Sequence, residues 1–190
     1  FGWFGFNAGS ALAANESAAM SFATTNTASA AAMLAWLFFD GARGRKPSAL
    51  GACIGAVVGL VAITPGAGFV TIPHSIVIGV IASVISNIAV HWKSSTTLDD
   101  TLDVFPCHGV GGIVGMILTG VFARDVGLIH GETHTFLVHL LGLAVVIGYV
   151  GIVSYILYRI TNAIIPLRVT EEDERMGLDL SQHEESVSPH

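Results

Sequence analysis

Asp103-Val-Phe-Pro-Cys-His108-Gly-Val-Gly-Gly-Ile-Val-Gly115 sets a histidine just inside an apolar stretch that runs on to about Val121. An ionisable side chain at membrane depth is costly unless it faces a cavity or a partner, which makes it a candidate for function. Imidazole can also take and give a proton near neutral pH. Two plainer readings of His108 stay open beside this one: a helix-to-helix hydrogen bond, or a place near the membrane surface.

The chain around this stretch has the same character. It is 52% hydrophobic and only 12% charged, where soluble domains carry about 25% charged residues. Apolar runs near 19–39, 48–63, 73–92, 105–122 and 135–158 mostly approach the ~20 residues a helix needs to cross a bilayer. The composition therefore predicts an all-α polytopic protein embedded in lipid. The net charge of −6 lies mostly in loops and tail, and no nucleic-acid partner is expected. Cys53 and Cys107 fall in apolar helices, which suits buried small hydrophobes rather than a disulfide. The first residue is Phe1 and no signal-peptide pattern follows it. The expectation is the C-terminal part of a longer protein.

Polar punctuation divides the runs. A partial helix over 1–12 leads through Asn15-Glu16-Ser17, a good N-cap cluster, into a helix at 18–39. The loop Asp40-Gly-Ala-Arg43-Gly-Arg45-Lys46-Pro47 follows, with Pro47 suited to the first turn of the next helix. Thr64-Pro65-Gly66-Ala67-Gly68 makes a further break, His91-Trp92-Lys93-Ser94-Ser95 ends the fourth segment, and a polar stretch at 123–134 separates the last two spans. Alternating sides puts Arg43, Arg45, Lys46, Lys93, Arg159, Arg168 and Arg175 together and leaves only Arg124 opposite. The excess of Lys and Arg marks the cytoplasmic side, so the C-terminus is expected inside. Gly51, Gly55 and Gly59 form one ridge and Gly111 and Gly115 another, as close helix packing in lipid requires.

Trp3, Phe6, Asn7 and Ser10 are three or four residues apart and share one helix face. An interfacial aromatic belt would explain the rings. A cavity wall would explain the amide and hydroxyl as well, since aromatic faces attract small cations and a hydroxyl accepts an N–H. Asp100 and Asp103 precede His108 and suit a helix N-terminus, with electrostatic support of the site as their functional reading. Thr24, Thr25, Asn26, Thr27 and Ser29 are expected to bond between helices, and His139 to serve packing. His130, His134 and His139 lack the Cys or carboxylate partners of a metal site, so no metal and no cofactor is expected. Gly109-Val-Gly111-Gly112 has no preceding strand and is not a nucleotide loop, and no hydrolase motif occurs, so no enzyme is expected.

These stretches together resemble the ammonium transporter family (the Amt, methylammonium permease and Rhesus group), its Amt branch above all. The likeness rests on Phe1 to Ser10, Ser48 to Cys53, Asp103 to Gly115, and the tail from Leu167-Arg168-Val169 through Glu174, Gly177-Leu178-Asp179 and His183. It implies the second half of an eleven-helix inverted-repeat fold, that is, a partial sixth helix plus helices seven to eleven. Residues 1–163 would be the membrane domain and 164–190 a cytoplasmic tail. The function implied is transport of ammonium or ammonia across the cell membrane through a hydrophobic pore, as a homotrimer with one pore per subunit. The resemblance makes His108 one of two pore histidines that relay a proton, its partner lying on a helix outside this chain. Trp3, Phe6, Ser10 and Val104 belong to the substrate path and gate, with deprotonation of the cation at an outer aromatic and hydroxyl site. Ser181 falls where plant relatives carry a phosphorylatable threonine, and a PII-type regulatory protein is a possible partner at the cytoplasmic face. The tail departs from the family pattern at His183-Glu184-Glu185, where glycine would stand second. An ammonium sensor using the same pore, and a Rhesus-type gas channel, are the competing functions; a chain of 190 residues alone is expected not to transport.

Overall fold

A computed structural model describes residues 1–186. Among them the ordered elements are all helical. They are α1 (Gly2–Gly9), α2 (Glu16–Ala42), α3 (Ala49–Ile63), α4 (Ile72–Ser94), a π-helical turn (Phe105–Val110) running into α5 (Gly111–Phe122), a 3₁₀ turn (Leu128–His130), α6 (His134–Ile164), α7 (Glu171–Met176) and α8 (Leu178–His183). The expected tail extends to residue 190, and its last four residues lie outside the described part.

The caps explain most boundaries. Asn15 accepts from the Ala18 amide, Ser48 from Gly51 and Thr71 from His74, each filling a donor that a helix start leaves open. Three expectations need correction. The first helix stops at Gly9 rather than near 12, because Leu12 takes a left-handed φ of 54° that no helix continues. The second helix starts two residues early and runs to Ala42, so Asp40 belongs to its last turn and is buried there. Pro47 stands before the Ser48 cap instead of inside the helix, since the hydroxyl takes the capping position itself.

By length and apolarity, α4, the segment Phe105–Phe122 and α6 each suffice to cross a membrane. The 15 residues of α3 extend only about 22 Å. Though 27 residues long, α2 is too polar to qualify on composition. Its polar atoms are turned inward and bonded, which lipid demands of them. Thr24 Oγ1 donates to the Ala67 carbonyl at 2.6 Å, Ser29 Oγ to Ala56 O at 3.1 Å, and Thr25 Oγ1 accepts from Asn7 Nδ2 at 2.9 Å. Thr27 meets Ser75, whereas Asn26 is exposed. From α4, Ser83 returns a bond to Ala32 O at 2.7 Å.

The chain divides into two compact units, Phe1–Leu143 and Ala144–His190. In the first, the glycine ridges do what their spacing predicts. Gly55 lies on Trp36, Ala32 and Met33, Gly59 on Ala28, Ser29 and Ala32, and Gly115 on the backbone of Ala62. At Gly59 an added Cβ would come within 2.5 Å of Ala28 O, so only glycine lets these backbones approach. Ala28, Val58, Ile63, Val70 and Ile78 fill the core between them. At the end carrying the basic loop, Arg45 reaches Asp40 at 3.1 Å and Asn87 at 3.2 Å, tying the α2–α3 connection to α4. In the second unit, Thr170 and Asp173 make a capping box for α7, and Arg168 clasps Glu174 at 2.6 and 3.0 Å.

Candidate functional site

Trp3 is the joint of the site. Its indole N–H donates to Thr64 Oγ1 at 2.8 Å, which fixes the ring against the end of α3. In that orientation its centroid lies 6.4 Å from the His108 ring at an interplanar angle of 21°. Its other neighbour is Phe6, edge to face at 6.5 Å and 66°. Aromatic pairs favour both arrangements over a face-to-face sandwich. The chain thus brings together two residues 105 positions apart.

One cavity is lined by Phe6 and another by His108, the two ring neighbours of this joint. The first, of about 180 Å³, is lined by Phe6, Asn7, Ser10, Ser21, Thr64 and Phe69 among others, on the side of the 64–70 turn. Phe6 is 65% exposed, and Ser10 Oγ donates to the Phe6 carbonyl at 2.8 Å, leaving the oxygen lone pairs open to the cavity. The shared face expected of Trp3, Phe6, Asn7 and Ser10 is only partly kept. Phe6, Asn7 and Ser10 line this one cavity and Trp3 does not, while Asn7, 5% exposed, also bonds Thr25. The second cavity, about 340 Å³, is lined by Leu50, Cys53, Ile54, Asp103, Cys107 and His108 with three further residues. It is apolar apart from the aspartate, the histidine, a threonine and two thiols. Among the described residues no group hydrogen-bonds the His108 ring, so both nitrogens are available.

His108 sits in a π-helical turn rather than an ordinary helix. Such turns add a residue to the helical repeat and re-aim side chains, often at functional sites. Pro106 is tolerated there because it stands at the start, where an amide would lack a partner. The Asp100 carboxylate accepts the amides of Val104 at 2.8 Å and Phe105 at 2.9 Å. Those two bonds, the Phe105 amide foremost, hold the Asp100 carboxyl below the usual carboxylate range, with the Lys93 charge assisting. Asp103 does not cap the helix; its carboxylate contacts Lys93 Nζ at 2.6 Å. The Val104 side chain is exposed. In the other unit, Ser181 Oγ donates to the Asp173 carbonyl at 3.3 Å. His139 contacts Met116 O at 3.2 Å across two helices.

Sequence reasoning passed over Thr64 and Lys93. Thr64 looks like part of a chain break before Pro65, and Lys93 like one more topogenic charge. Only the fold shows each meeting a residue of the site.

A model of the Ammonium Transporter Family matches residues 1–188. A putative ammonium transporter of Methanothermobacter thermautotrophicus is 46% identical over 98% of this chain and 48% of its own length. The ammonium transporter Amt1 of Archaeoglobus fulgidus is 40% identical, over 97% and 48% respectively. Among solved structures, Saccharomyces cerevisiae Mep2 superposes with a TM-score of 0.85 at 39% identity, over 90% of this chain and 42% of that one. A structure described as a sensor Amt protein gives 0.86 at 30%, over 96% and 46%. The chain spans just under half the length of the curated relatives it matches.

Proposed function

This chain belongs to the ammonium transporter family, and we propose that it forms one wall of a pathway by which ammonium, or the ammonia made from it, crosses a bilayer. The observation that carries the reading is the succession of ring contacts from Phe6 through Trp3 to His108, with one cavity lined by Phe6 and Ser10 and another lined by His108. Carrying an intact ammonium ion through apolar space would forfeit its hydration, at a cost of many kcal/mol. A ring face and a hydroxyl oxygen compensate part of that loss at the outer cavity. Past Phe6 the surroundings favour the neutral amine. The ion's N–H bond breaks there, and the proton passes to water or to a pathway base. His108, with two free ring nitrogens, accepts from or donates to the amine. A second histidine, from outside this chain, completes that relay in our reading.

The test is uptake of labelled methylammonium by the full-length protein in vesicles. His108→Ala should lower it on the order of a hundredfold, the usual worth of a proton-transfer group; unchanged uptake would remove His108 from the mechanism. Sensing is a second reading, favoured by the likeness to the sensor Amt structure. A well-folded protein that binds methylammonium without moving it would decide for sensing.

The protein would assemble as a homotrimer in the cell membrane, with residues 1–163 in lipid and 164–190 in the cytoplasm. The basic side holding Arg43, Arg45 and Lys46 supports that orientation and would face a PII-type regulator. Phosphate on Ser181 would set two negative charges beside the acidic start of α7 and disturb the tail. Wild-type uptake by a Ser181→Asp protein would exclude such a switch.

A further inference from the structure

The turn before His108 is held from outside its own helix. Asp103 adopts a φ of 53°, a left-handed conformation unfavourable for a residue with a side chain, though Asp bears it better than most. Its carboxylate meets Lys93 Nζ at 2.6 Å, and the same ammonium donates to the Asp100 carbonyl at 2.6 Å. The Lys93 side chain is 12% exposed and that of Asp103 21%, so solvent and salt screen this contact weakly. One lysine on α4 therefore grips both ends of the 100–103 turn. From that turn the Asp100 carboxylate receives the Val104 and Phe105 amides, the groups that open the π-helical turn. Because a π-helical turn differs from an α-helix by one residue in register, where it begins decides which way residue 108 points.

We propose that Lys93 is a positioning residue for His108: by bridging Asp100 and Asp103 it fixes the register of the π-helical turn that aims the imidazole at Trp3. Among the described residues Lys93 makes no hydrogen bond or ion pair with His108 and does not line its cavity. It acts through the backbone, and the left-handed Asp103 is the spring it holds. Without the ammonium, Asp103 is free to relax toward right-handed geometry, and His108 turns with it. The importance of this aim for transport rests on the pore reading above; the aim itself does not.

The experiment reads the His108 ring directly, by NMR of histidine-labelled full-length protein, with the His108 signal assigned by its loss in His108→Gln. Lys93→Met and Asp103→Asn should each move that signal, and Lys93→Arg, which can still bridge two oxygens, should leave it near its original position. Asp103→Asn keeps the Lys93 charge, so it separates positioning from a merely topogenic lysine, and it decides alone where Lys93→Met fails to fold. A His108 signal unmoved in Asp103→Asn overturns the proposal. Uptake should fall on the order of tenfold or more in Lys93→Met, as for a group displaced by a fraction of its own size. A moved signal with unchanged uptake would uphold the positioning role and show that the aim of His108 does not limit transport; no uptake by the parent protein would count against the transport reading instead.

Discussion

The helices α2 and α6 are opposite solutions to one solvent. In α2, Ser21, Thr24, Thr25 and Asp40 are buried and Phe22, Leu34 and Phe38 exposed. In α6, none of the 31 residues is buried within the chain, and Leu141, Val145, Tyr149 and Ile152 all stand open. A water-soluble helix would reverse the first pattern. In lipid, apolar surface gains nothing by hiding, so the bundle is joined by close backbones and by hydrogen bonds that hydrocarbon cannot replace. With the His139–Met116 contact near its start as its joint to α5, the rest of α6 stands on its apolarity.

Glycine gives the sharpest way to break this comparison. Gly115 lies on the Ala62 backbone, while Gly148 in α6 has open space where a Cβ would go. Gly115→Val should cost about 3 kcal/mol, at the upper end for overpacking because backbone cannot swing aside. Gly148→Val should change stability by less than about 0.5 kcal/mol. Thermal unfolding in detergent checks both. A destabilised Gly148→Val protein would mean that a protein neighbour, rather than lipid, covers that face of α6.

The same contrast explains what could be read from sequence. The apolar lengths of α4, α5 and α6 are legible because lipid-facing surface must be continuous. The glycine spacing of α3 is legible as a packing ridge, and the cap cluster at Asn15 as a boundary. The partners of those features are not legible. Nothing near Gly55 names Trp36, and nothing near Trp3 names Thr64, because such contacts arise only when distant helices meet; only the family resemblance set Trp3 near His108. The π-helical turn is hidden for a related reason. Phe105 to Val110 has no composition that separates it from an α-helical turn; what sets it there is a lysine twelve residues before it. The candidate site was thus visible as residues with the right chemistry, and invisible as a succession of ring contacts with its two cavities.

A smaller effect separates two carboxylates. Asp100, in the first unit, is held below its ordinary range chiefly by the Phe105 amide; Glu174, in the tail, is held below by the Arg168 guanidinium. For both, the folded pKa is depressed, so each contributes stability above its unfolded value, about 4, and loses it as pH falls through the lower folded value. Asp100→Asn should therefore flatten the acid limb of the thermal midpoint between those two values, whereas a limb identical to the parent's would show the caps to be idle. Salt distinguishes the two groups. The amides that hold Asp100 are short, fixed hydrogen bonds that ions barely screen, while the Arg168–Glu174 pair is exposed and screened readily. In an NMR titration, raising salt from low to molar concentration should move the Glu174 midpoint up toward its ordinary value and leave that of Asp100 nearly in place. Arg168→Gln should move the Glu174 midpoint the same way at low salt and leave Asp100 untouched. Equal salt shifts at the two sites would mean that Lys93, rather than the helix-opening amides, governs Asp100, and that the bundle's polar joint is no better sheltered than the tail's.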